Sequence, residues 1–261
     1  MRMSFFGRML ASVGIGSAKV DTVLEKAVYC PGEIVRGAVR IQGGSIEQRL
    51  DGIELSVMTT YLRELNDNKI YQNAEVSSVR VAGPQTIAAQ EYKEIPFNFE
   101  LPSLTPLTVG RAPVWIKTRL DIQAAVDPSD EDRIQVMPSA YQRTVLEAVE
   151  SIGFRLREAE LVHAPRLRGP LPFVQEFEYV PVGGRYRGRL DEVELMFTSV
   201  RPDGVDLLLQ IDRKARGFLG HFAESVGADE SYVRVSLGAG DLNAGSSRVA
   251  SAIDSVIMRY A

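Results

Sequence analysis

The stretch that decides the fold runs from residue 94 to residue 126 and reads EIPFNFELPSLTPLTVGRAPVWIKTRLDIQAAV. In its first part, apolar residues occupy every second position: Ile95, Phe97, Phe99 and Leu101. After a proline-rich break the alternation restarts with Val114, Ile116, Thr118, Leu120, Ile122, Ala124 and Val126. A period of two with one apolar side indicates strands that bury one face. Two such strands across a turn-rich linker predict a β-sandwich.

Similar alternations lie on both sides of this stretch. They occupy residues 35–41, 53–61, 173–179, 193–197, 205–211 and 233–237. Between them, the segment DPSDEDR at 127–133 is polar and acidic, and it predicts an exposed connection. Its carboxylates could offer oxygen ligands to Ca²⁺, although their spacing does not match an EF-hand loop. A solvated acidic turn is the favoured interpretation.

One segment between the two β-rich halves has helical spacing instead. Ser139 and Gln142 stand at capping-box distance, apolar residues then recur with a helical period, and Gly153 is a stop signal. We interpret this helix as a connector or domain boundary. The predicted organisation has four parts: an N-terminal amphipathic helix at 1–17, a first sandwich at 18–137, the connecting helix at 138–153, and a second sandwich with a terminal helical segment at 154–261.

The N-terminal segment is a candidate interaction element. Its apolar residues share one face of a short helix: Phe5, Phe6, Met9, Leu10 and Val13. We expect this face to pack against the rest of the protein. Contact with a membrane or with a partner stays open as the alternative.

Composition excludes several classes of protein. Across 261 residues, the formal charge of −4 argues against a dedicated nucleic-acid binder. The single cysteine, Cys30, cannot form an intrachain disulfide, and two histidines offer little for metal binding or nucleophilic catalysis. The chain lacks the metalloprotease helix, the nucleophile elbow and the P-loop. We therefore expect no catalytic, cofactor-binding or metal site, and no enzyme activity.

The most distinctive charged segment is GGRYRGR at 183–189. Arg185, Arg187 and Arg189 alternate, so an extended strand would place three guanidiniums on one face, where they could bind phosphate or carboxylate. The alternative, which we favour, is a hairpin whose arginines pair with acidic residues of adjacent strands: Glu176, Glu178, Asp191 and Glu192.

Several longer segments together resemble a known family. They are MSFFGRMLASVGIGSAKVDT, VYCPGEIVRGAVRIQGG, IPFNFELPSLTP, APVWIKTRLDIQAAVDPSDED, PFVQEFEYVP and GRYRGRLDEVELMF. In these segments the chain resembles the bacterial sporulation-control proteins of the stage-zero M type. The resemblance extends over nearly the whole length of the chain. The resemblance implies a mainly β protein with two tandem arrestin-like sandwiches. It also implies a regulatory or scaffolding role in sporulation or related developmental control, without catalysis.

These expectations define a working hypothesis of function. We expect a cytoplasmic protein that binds protein partners in developmental, cell-envelope or cytoskeletal control, with a homodimer as an open alternative and no nucleic acid. A peripheral membrane adaptor is the second hypothesis; it would use the N-terminal helix and the 185–189 arginines at the inner face of the membrane.

Overall fold

The computed structural model describes residues 17–65, 68–123, 126–167, 169–212 and 232–260. These residues form fourteen strands and three α-helices. The strands are β1 (Lys19–Leu24), β2 (Val28–Tyr29), β3 (Ile34–Gln42), β4 (Gln48–Leu65), β5 (Asn68–Ala82), β6 (Gln85–Ile87), β7 (Tyr92–Glu100), β8 (Val114–Ile122), β9 (Ser129–Val136), β10 (Phe154–His163), β11 (Phe173–Pro181), β12 (Glu192–Arg201), β13 (Gly204–Asp212) and β14 (Tyr232–Gly238). The helices are α1 (Ala140–Ser151), α2 (Ala239–Asn243) and α3 (Ser246–Ile257). The predicted mainly β class is confirmed.

The chain divides into two compact units. Unit 1 contains the described residues of Met1–Thr59, Ala74–Pro102 and Pro113–Gln135, and unit 2 contains those of Thr60–Asn73, Ser103–Ala112 and Val136–Ala261. This division differs from the predicted consecutive domains, because two early segments and α1 belong to unit 2. The cause is the length of β4 and β5, which have 18 and 15 residues and each contribute to both units. The alternation at 53–61 predicts a strand but not its full extent.

Unit 1 packs two antiparallel sheets. One has the order β1-β3-β7, and in the other β8 pairs with β4 and β9. Phe97 and Ile116, on the alternating faces of the opening stretch, are 7% and 0% exposed, so the predicted core positions are confirmed. Between the sheets, the hydroxyls of Thr22 and Thr118 are hydrogen-bonded at 2.6 Å.

The acidic segment is not the exposed connection that the sequence predicts. Most of it lies in β9, which pairs with β8. Glu131 faces outward and forms an ion pair with Lys117 at 3.6 Å. Asp130 and Asp132 alternate with it, and Asp130 Oδ2 accepts a hydrogen bond from the Thr22 amide at 2.7 Å. The period of two continues through the acidic residues into buried Ile134 and Val136, so the strand extends through them.

In unit 2, β10 to β14 form an antiparallel array in sequence order, and β10 also pairs in parallel with the end of β4 at Leu62–Val162. One cross-strand row of this sheet is apolar: Ala159, Phe177, Leu195 and Leu209. All four residues are buried. Gln142 of α1 lines the same cavity as Phe177 and Phe197, so α1 lies over this face. Among the described residues the layer over the sheet is thus helical.

Helix α1 begins where the sequence predicts. Ser139 Oγ accepts a hydrogen bond from the Gln142 amide, and Gln142 Oε1 accepts one from the Ser139 amide, which completes the capping box. Gly153 follows the helix with a φ of 100°, the left-handed conformation that glycine adopts most readily. The predicted C-terminal helix is also confirmed, and it buries Val249 and Ile253. The apolar residues of the predicted N-terminal helix, at positions 5–13, lie outside the described residues.

Candidate interaction site

The segment 185–189 is not an extended strand, so the predicted row of three guanidiniums on one face is wrong. Residues Gly184–Tyr186 form a 3₁₀ turn. Gly184 and Gly188 have φ values of 66° and 78°, which turn the chain twice within five residues. The alternating arginines have the period of a strand, but the two glycines determine the conformation of the backbone, which is a turn. We call residues 185–189 the arginine loop.

Tyr186 anchors the arginine loop to the core of unit 2. It is 1% exposed, and its ring packs against Phe154 with a centroid separation of 5.2 Å. Its hydroxyl donates a hydrogen bond to Asp254 Oδ1 of α3 at 2.6 Å. Burial, and then this hydrogen bond, raise the pKa of Tyr186. The loop is therefore fixed at its centre by a buried aromatic side chain.

The three arginines have different surroundings. Arg185 Nη2 lies 3.1 Å from Asp254 Oδ2, so one carboxylate binds both Tyr186 and Arg185. Arg187 and Arg189 are exposed, and the structure shows no side-chain ion pair or hydrogen bond for either within the described residues. Two of the predicted acidic partners, Glu178 and Glu192, contact Arg157 instead of the loop. Asp254, the residue that binds the loop, carries no sequence signal beyond its place on α3.

A shallow cleft of about 470 Å³ adjoins the arginine loop. It lies between the end of α1 and α3, with Ser151 and Ser251 on its walls and Arg185 and Asp254 at one side. Guanidinium groups bind carboxylates and phosphates through paired N–H donors. The cation at this polar depression is Arg185, and the exposed Arg187 and Arg189 follow two and four residues later in the loop.

A second charged feature lies on the sheet face opposite the apolar row. Three Glu-x-Glu triplets face each other across neighbouring strands: Glu158–Glu160 on β10, Glu176–Glu178 on β11 and Glu192–Glu194 on β12. The register places Glu158 opposite Glu178, and Glu178 opposite Glu194. We call these six residues the carboxylate row. Five of them are at most 6% exposed: Glu160, Glu176, Glu178, Glu192 and Glu194.

The carboxylate row has fewer cations than carboxylates. Arg157 Nη2 lies 2.6 Å from Glu192 Oε2 and also contacts Glu178. At the other end, the hydroxyl of Tyr71 donates to Glu160 Oε1 at 3.2 Å. Glu176 Oε1 has no hydrogen-bond partner among the described residues. Like charges directly opposite each other in a sheet are unfavourable, and burial makes them more so.

Burial favours the neutral form of Glu176, Glu192 and Glu194, and so raises the pKa of each. It raises the pKa of Glu194 to about 7, with a further contribution from Glu192. It raises the pKa of Glu176 well above its ordinary value, and Glu194 adds to this effect. The sequence predicts Glu176, Glu178 and Glu192 only as partners of the arginines at 185–189, because a period of two shows that a strand has two faces but not which face is covered. The repetition of the triplets at matching registers was the signal that could have revealed the row.

Other sequence candidates have simpler outcomes. Phe5, Phe6, Met9 and Leu10 lie outside the described residues. Within the part of the chain that the structure describes, no three carboxylate, histidine or cysteine side chains are arranged to hold a metal ion, and this includes the acidic residues of β9. No helix in that part is both long and apolar enough to cross a membrane.

Comparison with known proteins gives one consistent result. The SpoOM protein family model matches residues 6–215. The sporulation-control protein Spo0M of Bacillus subtilis (strain 168) is 47% identical over 233 residues, which cover 89% of this chain and 90% of that protein. The crystal structure of Spo0M from Bacillus subtilis superposes with a TM-score of 0.86 at 42% identity, covering 95% of this chain and all of that one. The resemblance found in the sequence is confirmed, and the chain belongs to the SpoOM protein family.

Proposed function

We propose that this chain is a non-enzymatic regulatory or scaffolding protein that acts in sporulation or related developmental control by binding a protein partner. Its similarity to a sporulation-control protein supports the proposed role in that process. The observation that supports the mode of action is the arginine loop. It presents Arg187 and Arg189 to solvent from a backbone anchored by buried Tyr186.

The anchoring favours recognition over nonspecific charge attraction. A loop fixed by the Tyr186–Asp254 hydrogen bond loses little conformational entropy when a partner binds it. The two guanidiniums have no competing carboxylate among the described residues, so a partner does not displace an existing ion pair. The complementary surface is an acidic segment of a protein, because carboxylates accept paired hydrogen bonds from guanidinium.

The test is charge reversal at the two arginines. In Bacillus subtilis that lacks its own Spo0M, we expect the unaltered chain to restore sporulation and Arg187→Glu/Arg189→Glu to restore little of it. Crosslinking in the same cells should recover fewer partner proteins with this variant. Because both side chains are exposed, its melting temperature should be unchanged.

Arg155→Glu is the matched control, since Arg155 is an exposed arginine on β10 outside the loop. It should behave like the unaltered chain. Full restoration of sporulation and unchanged crosslinking by the double variant would refute the role of the arginine loop.

A peripheral membrane adaptor is the second candidate. The exposed arginines of the loop favour it, because each basic residue near an anionic bilayer contributes about 1 kcal/mol. The apolar residues at positions 5, 6, 9 and 10 would add to binding. Flotation with vesicles containing phosphatidylserine separates the candidates: a protein-binding scaffold stays at the bottom of the gradient. Flotation that is lost on deletion of residues 1–13 would favour the adaptor and a location at the inner face of the membrane.

A further inference from the structure

Strand β5 is an edge strand among the described residues, because it pairs with β4 alone. It has 15 residues, and each residue from Asn68 to Asn73 is exposed. Two large apolar side chains lie in this part: Ile70 is 40% exposed and Tyr71 is 56% exposed. An edge strand directs the N–H and C=O of alternate residues away from its sheet, where another strand can pair with them. We call residues 68–76 the β5 edge.

Two other strands at the ends of sheets are less open to a new partner strand. Strand β7 contains Pro96, which offers no N–H donor to a further strand. In β1, the Thr22 amide already donates to Asp130 Oδ2 at 2.7 Å. The β5 edge contains no proline, and its exposed apolar side chains are the kind of surface that strand addition covers.

The charges of the β5 edge favour a second copy of this chain as the partner strand. Two copies of one strand pair antiparallel about a two-fold axis perpendicular to the sheet, and one residue then faces its own copy on the axis. Opposed side chains lie on the same face, so only residues an even number of positions apart can oppose each other. Lys69 and Glu75 are six positions apart, and they oppose each other when Gln72 lies on the axis. The symmetry then forms this pair of opposite charges twice.

The same register gives the exposed apolar side chains a partner. It places Ile70 opposite Ala74 of the second copy and Tyr71 opposite Asn73 of the second copy. Cross-strand pairs of this kind stabilise a sheet. An axis through Glu75 would instead oppose two carboxylates, which is unfavourable. The pattern of charges therefore selects the register that is centred on Gln72.

Both charges of the pair are accessible in the folded chain. Lys69 is exposed, and its charge also acts on Glu160. Glu75 is exposed as well, and its Oε2 accepts a hydrogen bond from Ser56 Oγ at 2.9 Å. This bond engages one carboxylate oxygen, so the other is available to the lysine of the second copy. Exposed ion pairs contribute little energy, so these select the register while the backbone hydrogen bonds supply most of the affinity.

We propose that two copies of this chain pair antiparallel through the β5 edge, with Gln72 on the two-fold axis and Lys69 of each copy opposite Glu75 of the other. Pairing over residues 68–76 forms roughly six to eight backbone hydrogen bonds, and a contact of this symmetry closes as a dimer. A standard interface uses roughly 20–30 residues a side, so this smaller one should have a dissociation constant on the order of 10 µM. The inference concerns β5 and not the arginine loop, so it does not depend on the function proposed above.

Sedimentation equilibrium of the full chain, from about 1 to 200 µM, measures this association. We expect the average mass to rise from that of one copy towards that of two. Lys69→Glu and Glu75→Lys each replace two attractive pairs per dimer with two repulsive pairs. Each should weaken association about tenfold. Because both side chains are exposed, neither change should lower the melting temperature.

A mixture of the two variants restores the complementary charges. One copy then carries carboxylates at positions 69 and 75, and the other carries ammonium groups at both positions. The equimolar mixture should associate within about threefold of the unaltered chain, and so should the chain that carries both substitutions. Arg80→Glu is the matched control, because it makes the same change of charge on β5 outside residues 68–76. Its association should stay within about twofold of the unaltered chain.

Loss of association in each single variant, with recovery in the mixture, supports the proposed pairing. A chain that stays monomeric over the whole range would overturn it and leave the β5 edge to a different protein. Association that neither single variant weakens, or that Arg80→Glu weakens equally, would also overturn it, since the contact would then not depend on Lys69 and Glu75. A mixture that fails to associate would refute the opposition of these two residues.

Discussion

Glu194→Gln should stabilise unit 2 at alkaline pH and leave it almost unchanged in mild acid. In the folded protein Glu194 is 6% exposed and lies among other carboxylates, so its pKa is raised from 4.5 to about 7. A raised carboxyl pKa means that the folded state binds the proton more tightly than the unfolded state. The free energy of unfolding therefore falls as the pH rises from about 4.5 to about 7, and is constant beyond that interval. Glutamine imitates the protonated side chain at every pH.

The size of the effect follows from this pKa. A change from 4.5 to about 7 corresponds to roughly 3 kcal/mol of unfolding free energy. Other charged groups act on Glu194: Glu178 lies opposite it on β11, Glu192 lies on its own strand, and Asp212 and Arg157 lie on β13 and β10, while Glu194 in turn acts on Glu176. Because the carboxylates share protons, removing one lowers the pKa of the others, and we expect about 1–3 kcal/mol at pH 8. For a domain of this size that is roughly 3–10 °C in melting temperature.

Differential scanning calorimetry at pH 5 and pH 8 measures this difference. Glu147→Gln is the control, because Glu147 is an exposed carboxylate on α1. It should change the melting temperature little at either pH. The reasoning is refuted if Glu194→Gln shifts the melting temperature equally at both pH values, or if it destabilises unit 2 at pH 8.

Three further outcomes can be measured. Phe97→Ala should lower the unfolding free energy of unit 1 by about 3–5 kcal/mol in urea titrations, because a nearly buried ring leaves a cavity; an unchanged midpoint would contradict its core position. Tyr186→Phe keeps the ring and removes the hydrogen bond to Asp254, so thermal unfolding should show a loss of about 1–2 kcal/mol, and no loss would mean that the bond contributes nothing. A fragment of residues 154–261 lacks α1 and the 60–73 and 103–112 segments of unit 2. Its circular dichroism should show no cooperative melting, whereas cooperative melting would support the predicted consecutive domains.

The sequence predicted those features that depend on local pattern. The strands through Phe97 and Ile116 follow from a period of two, and α1 follows from Ser139 and Gln142. The prediction of an extended strand at 185–189 was wrong, because Gly184 and Gly188 adopt a positive φ and turn the backbone there.

The carboxylate row was missed for a different reason. The triplets at Glu176 and Glu192 have the composition of solvent-facing positions, and the burial of that face is a property of the tertiary structure. Asp254 was missed because it lies on α3, far from the arginine loop in sequence, and only the tertiary structure brings the two together.

The parallel pairing of β4 with β10 has a consequence for synthesis on the ribosome. Leu62 meets Val162, so the first strand is made a hundred residues before its neighbour. At the usual 5–20 residues per second, the 60–73 segment waits roughly 5–20 s for the partner strand. During that interval Tyr61 and Leu62, which are almost fully buried in the folded protein, lack the strand that they pack beside and remain exposed. Slow translation or the loss of a chaperone should therefore increase misfolding of the 60–73 segment before that of any other part of unit 2.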